Sequence, residues 1–460
     1  MRTAWMIHVS QGGHHAWRVR LCILASAFGV LSASFGLPLF RDSLSNGLVI
    51  LTYEDHHLPA ATLTLVCRSG GACDPKDRGG TASMMTDLLT RGTSTMSGDS
   101  VKSIVEFLGG RFSGSIDDDY CGVDIKVLSK DLRAALDLMA DAVLHPAFDS
   151  QQLQLTRGRM LASARRFSDM PFGEVAIEFM RLSYGDHPYG HMTGGDTGSL
   201  PLIRREDLIA FYDTYFRPNN CFLVAVGDIN HKDLASAVGQ RLGSWTPAPV
   251  AALTVTPLTM PDRFRVKVIT KSGMNQTYVD FGHPGISATE TDVLPVRLMS
   301  YILGGTAMSS RLGIDVRVKS GLAYDVRCSF ERKRLQGMFE ATVQTAKPRE
   351  AIALMLHDIK AMYDSGVTKR ELEDAQNYYT GSFPLSYASM DGKLSQVRTM
   401  ELYGYGMDWL ERLPDRIREV TLDEVNKAAH KRLYPGKYWM VVVGPVTKDD
   451  LGLNDVEWVE

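Results

Sequence analysis

Two four-residue spacings in this sequence could carry chemistry. His187 and His191 stand at the separation that lets two imidazoles on one helix face hold a metal ion, and Ser83 and Asp87 stand at the separation that could place a hydroxyl nucleophile beside a carboxylate. The residues around them oppose both readings. Pro188 and Gly190 interrupt any shared helix face between the histidines, so that pair reads as loop packing. Ser83 has no His or Lys at helical spacing to serve as its base, so Ser83 with Asp87 reads as part of a structural helix. His56-His57, beside a strand end, reads as solvated. Phosphate-cradling G-x-x-x-x-G-K-S/T and G-x-G-x-x-G patterns and the G-x-S-x-G nucleophile elbow do not occur. Of the 6 cysteines, Cys22 lies in the N-terminal segment, and the remaining Cys67, Cys73, Cys121, Cys221 and Cys328 contain no C-x-x-C pair. A zinc ribbon is excluded, and most of these thiols are expected to be buried, with at most one or two bridges.

The elements that would position a site come from a chain of 460 residues, enough for two to four domains at roughly 100 to 200 residues each. Hydrophobic residues at 44% and charged residues at 22% indicate folded protein, and 50 basic against 53 acidic residues, mixed along the chain, give no surface for nucleic acid or an acidic membrane. An internal repeat organises the chain. FYDTYFRPNNCFLVAVGDINHKDL from Phe211 to Leu234 aligns without a gap to AAHKRLYPGKYWMVVVGPVTKDDL from Ala428 to Leu451, with Pro218 on Pro435 and Gly227 on Gly444. Each copy predicts helix, turn, buried strand, turn. Leu108-Gly109-Gly110 and Leu303-Gly304-Gly305 correspond more loosely.

The chain therefore reads as two homologous halves. Hairpin-like strands are predicted over Leu48 to Tyr53, Ala61 to Arg68 and Tyr120 to Leu128, and amphipathic helices over Lys130 to Leu144 and Pro348 to Asp364. The class is α+β, each half a mostly antiparallel sheet covered by helices. Residues 40–246 form the first half and 262–460 the second, joined by the proline-rich, uncharged segment 247–261. Residues 1–36 read as an export signal: Arg18 and Arg20 precede the apolar run Leu21 to Ala33, with small residues at Ser32, Ala33 and Ser34. That run is short of the roughly 20 residues that span a bilayer, so no stable membrane anchor is expected and the mature chain should be exported and periplasmic.

Several motifs carry a resemblance. Leu44-Ser45-Asn46-Gly47-Leu48, GGTASMMTDLLTRGT from Gly79 to Thr93, His187-Pro188-Tyr189-Gly190, Tyr215-Phe216-Arg217-Pro218-Asn219-Asn220 and Gly321-Leu322-Ala323-Tyr324 resemble the insulinase/pitrilysin family of zinc peptidases. The resemblance runs in order from about residue 40 to residue 450 and is closest to the two-domain branch, which includes the mitochondrial processing peptidase and bacterial two-subunit enzymes. It implies a clam-like shell of two peptidase-like domains. The family's H-x-x-E-H motif, two histidine ligands and a glutamate base, falls on Ser83-Met84-Met85-Thr86-Asp87, and the third ligand falls on Ser163 when Asp169-Met170-Pro171 is matched to the family's Asp-x-Pro. Neutral hydroxyls are poor zinc ligands, so the first domain carries a degenerate motif and no metal is expected in this chain.

Arg317 and Tyr324 match the family's arginine and tyrosine that reach toward the zinc site, and both side chains can donate to a peptide carbonyl or its developing oxyanion. The implied function is a non-catalytic, substrate-binding subunit of an exported heterodimeric zinc peptidase. It would be inactive alone and would complete the site of an H-x-x-E-H partner that holds the zinc and cleaves the peptide substrate. A non-enzymatic scaffold or a peptide-binding protein of the same fold is the alternative the sequence leaves open.

Overall fold

The computed structural model describes residues 37–460 apart from residue 254. The segment read as an export signal, with Cys22, lies outside the described residues. The first half contains β1 (Leu39–Ser43), β2 (Val49–Glu54), β3 (Ala60–Cys67), α1 (Thr81–Leu89), α2 (Gly98–Phe107), β4 (Arg111–Ile116), β5 (Cys121–Leu128), α3 (Leu132–Leu144), α4 (Ser150–Asp169), α5 (Pro171–Tyr184), α6 (Arg205–Tyr215), β6 (Cys221–Gly227) and α7 (His231–Leu242). The second contains β7 (Phe264–Thr270), β8 (Thr277–Pro284), α8 (Val293–Gly304), β9 (Ala323–Phe330), β10 (Met338–Thr345), α9 (Pro348–Ser365), α10 (Lys369–Ser386), α11 (Met390–Tyr403), α12 (Trp409–Glu419), α13 (Leu422–Arg432), β11 (Trp439–Gly444) and β12 (Val456–Val459). The described residues from 245 to 261 form neither helix nor strand.

Each half builds one six-stranded sheet, in the orders β1-β2-β6-β3-β5-β4 and β12-β7-β11-β8-β10-β9. The segments Leu48 to Tyr53 and Ala61 to Arg68, expected as hairpin-like strands, are strands that do not pair with each other. Instead β6 lies between them, parallel to β2 and antiparallel to β3. The reason is burial: every residue of β6 is buried, so the strand belongs at the sheet centre with both faces covered. The repeated segment does the same in the second half, where β11 runs parallel to β7 and antiparallel to β8. Among the described cysteines all five are free thiols, and Cys121, Cys67 and Cys221 stand opposite one another on β5, β3 and β6.

Period-2 alternation sorts the side chains of these central strands into two cores. From β6, Leu223 and Ala225 pack under the first half's own helices. Phe222, Val224 and Val226 face the other way, with Leu51, Tyr53 and Val66, against Leu394, Val397 and Met400 of α11 from the second half. The reciprocal packing also occurs. Val175 and Phe179 of α5 cover Trp439, Val441 and Val443 of β11. The two halves thus exchange a helix, each closing the open sheet face of the other. Ion pairs reinforce the exchange: Arg68, just after β3, meets Glu401 on α11 at 2.6 Å, and Lys267 on β7 meets Glu178 on α5 at 3.0 Å.

Two carboxyls lie on the sheet face that α5 covers. Asp280 pairs in register with Val441, and Glu340 with Gly282. Burial pushes Asp280 well above the carboxylate range, with the neighbouring Glu340 adding to it. Burial likewise raises Glu340 to about 7, with Glu331 adding and Lys333 opposing. A carboxyl raised by folding keeps a proton that the unfolded chain releases, so its contribution is complete below the unfolded value and is lost as pH rises through the folded one. Stability should therefore fall between about pH 4.5 and 7. Glu340→Gln should match the parent in urea unfolding at pH 4.5 and exceed it by about 1–2 kcal/mol at pH 8. Parallel curves for the two proteins would remove Glu340 as the source of the slope.

Candidate functional site

Helix α1 is set in place by its first turn. Gly80 adopts a left-handed φ of 96°, and a Cβ there would lie 2.9 Å from the Cα of Gly195. The carboxylate of Asp74 accepts from the backbone N–H groups of Gly80 and Ala82, each at 2.7 Å. Burial pushes Asp74 up to about 7, against the pull of these N–H groups and of His191. The helix so anchored lies against α4 and β4. Ser83, Thr86, Asp87 and Ser163 are brought together there, lining one cavity of about 320 Å³ with Gly114, Thr156 and Arg159. A neighbouring cavity of about 560 Å³ shares Ser83 and Ser163 and is continued by Glu174, Glu178, Arg181 and Asp196.

Two of the four positions, Thr86 and Asp87, are engaged internally. Thr86 is buried and its hydroxyl donates to the Ala82 carbonyl at 2.7 Å. One oxygen of Asp87 accepts from Arg91 at 3.1 Å, and the other accepts from Thr156 and Arg159, both at 2.8 Å. Burial works to raise the Asp87 pKa, but the hydrogen bonds from Arg91 and Thr156 and the charges of Arg91 and Arg159 hold it below the usual carboxylate value. As a donor set, three hydroxyls and a carboxylate already shared by two guanidinium groups do not fit zinc. No motif in the sequence marks Arg91, Thr156 or Arg159 as partners of Asp87. Arg91 lies one helical turn after Asp87, which is a usable ion-pair signal, but nothing local brings α4 beside it.

Arg317 and Tyr324 are placed together but elsewhere. Arg317 sits in a π-helical turn, Gly313–Lys319, and Tyr324 is the second residue of β9, on an edge of the second sheet. The guanidinium carbon lies 4.5 Å from the centre of the Tyr324 ring, a cation–π contact. Tyr324 is 81% exposed. Neither residue lines the cavities around Ser83.

His187 and His191 lie in the loop after α5, as expected from Pro188 and Gly190. His187 Nδ1 accepts from the backbone N–H of Tyr189 at 3.1 Å, and burial followed by the charge of Lys333 lowers its pKa to about 4. Tyr189 is buried and donates to Asp119 at 2.5 Å, while Asp119 also accepts from the Tyr403 hydroxyl and the Arg334 backbone N–H, at 3.1 and 2.6 Å. This loop therefore ties the two halves together. His57 is almost fully exposed and His56 pairs with Asp228 at 2.7 Å. Among the described residues no helix is long and apolar enough to cross a membrane.

Two family models match the chain: the one described as Insulinase (Peptidase family M16) over residues 49–187, and the one described as Peptidase M16 inactive domain over residues 203–379. YmxG of Bacillus subtilis, described as an uncharacterized zinc protease, is 24% identical over 410 residues, covering 88% of this chain and 98% of its own. The non-peptidase homolog YmxG of Helicobacter pylori is 23% identical over 412 residues, covering 88% and 93%. The crystal structure of a peptidase M16 inactive domain from Pseudomonas fluorescens superposes with a TM-score of 0.82 at 26% identity, covering 89% of this chain and 98% of that one.

Proposed function

The chain belongs to the insulinase (M16) peptidase family as a member lacking the zinc motif, and on that premise we propose that it is the non-catalytic, substrate-binding subunit of an exported heterodimeric zinc peptidase. The partner is a second chain of this fold carrying H-x-x-E-H, and it holds the zinc; this chain holds none at Ser83, Thr86, Asp87 and Ser163. Exposure of Tyr324 carries the reading. An aromatic side chain 81% open to solvent, stiffened by an arginine stacked on its ring, is prepared for a contact made outside the chain.

In the assembled enzyme the partner's zinc supplies Lewis-acid chemistry. Tyr324 donates its hydroxyl to the scissile carbonyl oxygen as that oxygen gains charge, and Arg317 holds a neighbouring carbonyl of the peptide. The name of the Helicobacter pylori relative, a non-peptidase homolog, supports a role without hydrolysis by the chain alone.

Co-purification with an H-x-x-E-H chain tests the proposal. Light scattering should give a heterodimer, elemental analysis should give about one zinc per heterodimer and none for this chain by itself, and peptide hydrolysis should require both chains. Zinc bound to the isolated chain and lost on Asp87→Ala, or two chains that never associate, would sink it.

A further inference from the structure

At the position in the second half that corresponds to the Ser83 site, the charge arrangement is the opposite. Helices α8 and α10 and strand β9 take the places that α1, α4 and β4 occupy in the first half, and they enclose a cavity of about 280 Å³. Arg297, Ser300, Tyr301, Arg332, Tyr378 and Tyr379 supply its polar wall, and Val296 and Phe330 supply apolar surface. In the first half Arg91 and Arg159 share the carboxylate of Asp87. Here, among the described residues, neither Arg297 nor Arg332 has a carboxylate within ion-pair distance, and the charged group that acts most on Arg332 is Arg297. Asp374, whose charge reaches Tyr301, is exposed and turned to Arg370.

The arrangement of Arg332 is specific to it. It belongs to the run Glu331-Arg332-Lys333-Arg334, and its neighbours are all engaged with the first half. Glu331 accepts from Tyr184 at 2.9 Å, Lys333 pairs with Asp118 at 2.8 Å, and Arg334 donates to the Asp119 carbonyl at 2.7 Å. Arg332 alone turns into the cavity. Protein surrounds it on most sides while its side chain stays open to solvent; this enclosure, and then the charge of Arg297, lower its pKa. Arg297 is fixed over the Tyr379 ring at 4.3 Å, and Tyr301 stacks on Tyr378 at 4.5 Å.

Two like charges held in one recess repel unless an anion sits between them, and guanidinium forks match a carboxylate in two-point hydrogen bonding. Stacked rings beside them favour an apolar body on the same ligand. We propose that this cavity binds a carboxylate carried on a large apolar or aromatic group, presented by a peptide as its free C-terminus. The carboxylate chemistry stands on the cavity itself; its presentation by a peptide rests on the substrate-binding reading above.

Calorimetric titration of the full chain with 3-phenylpropionate, 3-phenylpropionamide and inorganic phosphate tests the site without any partner. The acid should bind at least tenfold more tightly than the amide or phosphate. Arg297→Gln and Arg332→Gln should each weaken it about tenfold with little change in melting temperature, because relief of repulsion offsets, for Arg297, the lost contact with the Tyr379 ring. Equal binding of acid and amide by the parent chain overturns the assignment without need of a variant. So does phosphate as tight as the acid, or full binding retained by the double variant.

Peptides ending in phenylalanine, free or amidated, separate this assignment from the functional reading. A preference for the free end, lost in the double variant, supports both. Peptides that bind regardless of their end group sink the cavity assignment and leave the reading intact. Failure of every peptide while 3-phenylpropionate binds sinks the reading and leaves the cavity.

Discussion

Tyr324→Phe in the proposed heterodimer is expected to lower turnover by about 10²- to 10³-fold, the usual effect of losing one donor to a developing oxyanion. The side chain is exposed and its ring contact with Arg317 does not use the hydroxyl, so removing that oxygen leaves packing, melting temperature and heterodimer formation unchanged. Arg317→Ala should act differently. A positioning contact is present in ground and transition states alike, so KM should rise more than kcat falls, although loss of the stacked guanidinium also frees the Tyr324 ring and lowers kcat modestly. Steady-state kinetics on the two variants with the zinc-bearing partner separates these effects. Full activity in Tyr324→Phe would show that the hydroxyl has no part in the reaction, and a heterodimer that no longer forms would make the tyrosine an assembly residue instead.

The second large effect concerns the exchanged helices. A fragment of residues 37–250 keeps β2, β3 and β6 but loses α11. Leu51, Tyr53, Val66, Phe222, Val224 and Val226, all buried in the intact chain, would then face water. At about 1.5–3 kcal/mol for each large apolar side chain, their exposure consumes the roughly 5–15 kcal/mol that typically holds a domain folded. The fragment is expected to show no cooperative thermal transition, and co-expression with residues 251–460 should restore one. The intact chain should melt in a single calorimetric step, since neither half retains a covered sheet without the other. A fragment melting sharply within a few degrees of the whole chain would mean that α11 is dispensable to the first sheet.

Features set by local pattern were legible in the sequence. The apolar runs at Cys221 to Gly227 and Trp439 to Gly444 are strands because they are short, continuous and rich in β-branched residues. The loss of the zinc motif at Ser83-Met84-Met85-Thr86-Asp87 is visible because that chemistry lives within five residues of one helix. Arg317 and Tyr324 could be placed at a helix end and a strand start because Ser320-Gly321 ends one and begins the turn to the other. In each case the determinant lies within one element or at its boundary.

Only the tertiary structure decided which faces meet. The sequence of α5 shows an apolar side but not which sheet it covers, and α11, whose apolar residues are weakly segregated, shows even less of its partner. The insertion of β6 between β2 and β3 follows from burial on both faces, a property of the assembled sheet and not of the strands that might have formed a hairpin. Asp87 acquires Arg159 and Thr156 through helix packing, whereas Arg297 and Arg332 line one cavity with no carboxylate in its wall. Charge pairing across elements depends on where long side chains end up, and sequence separation carries no record of that.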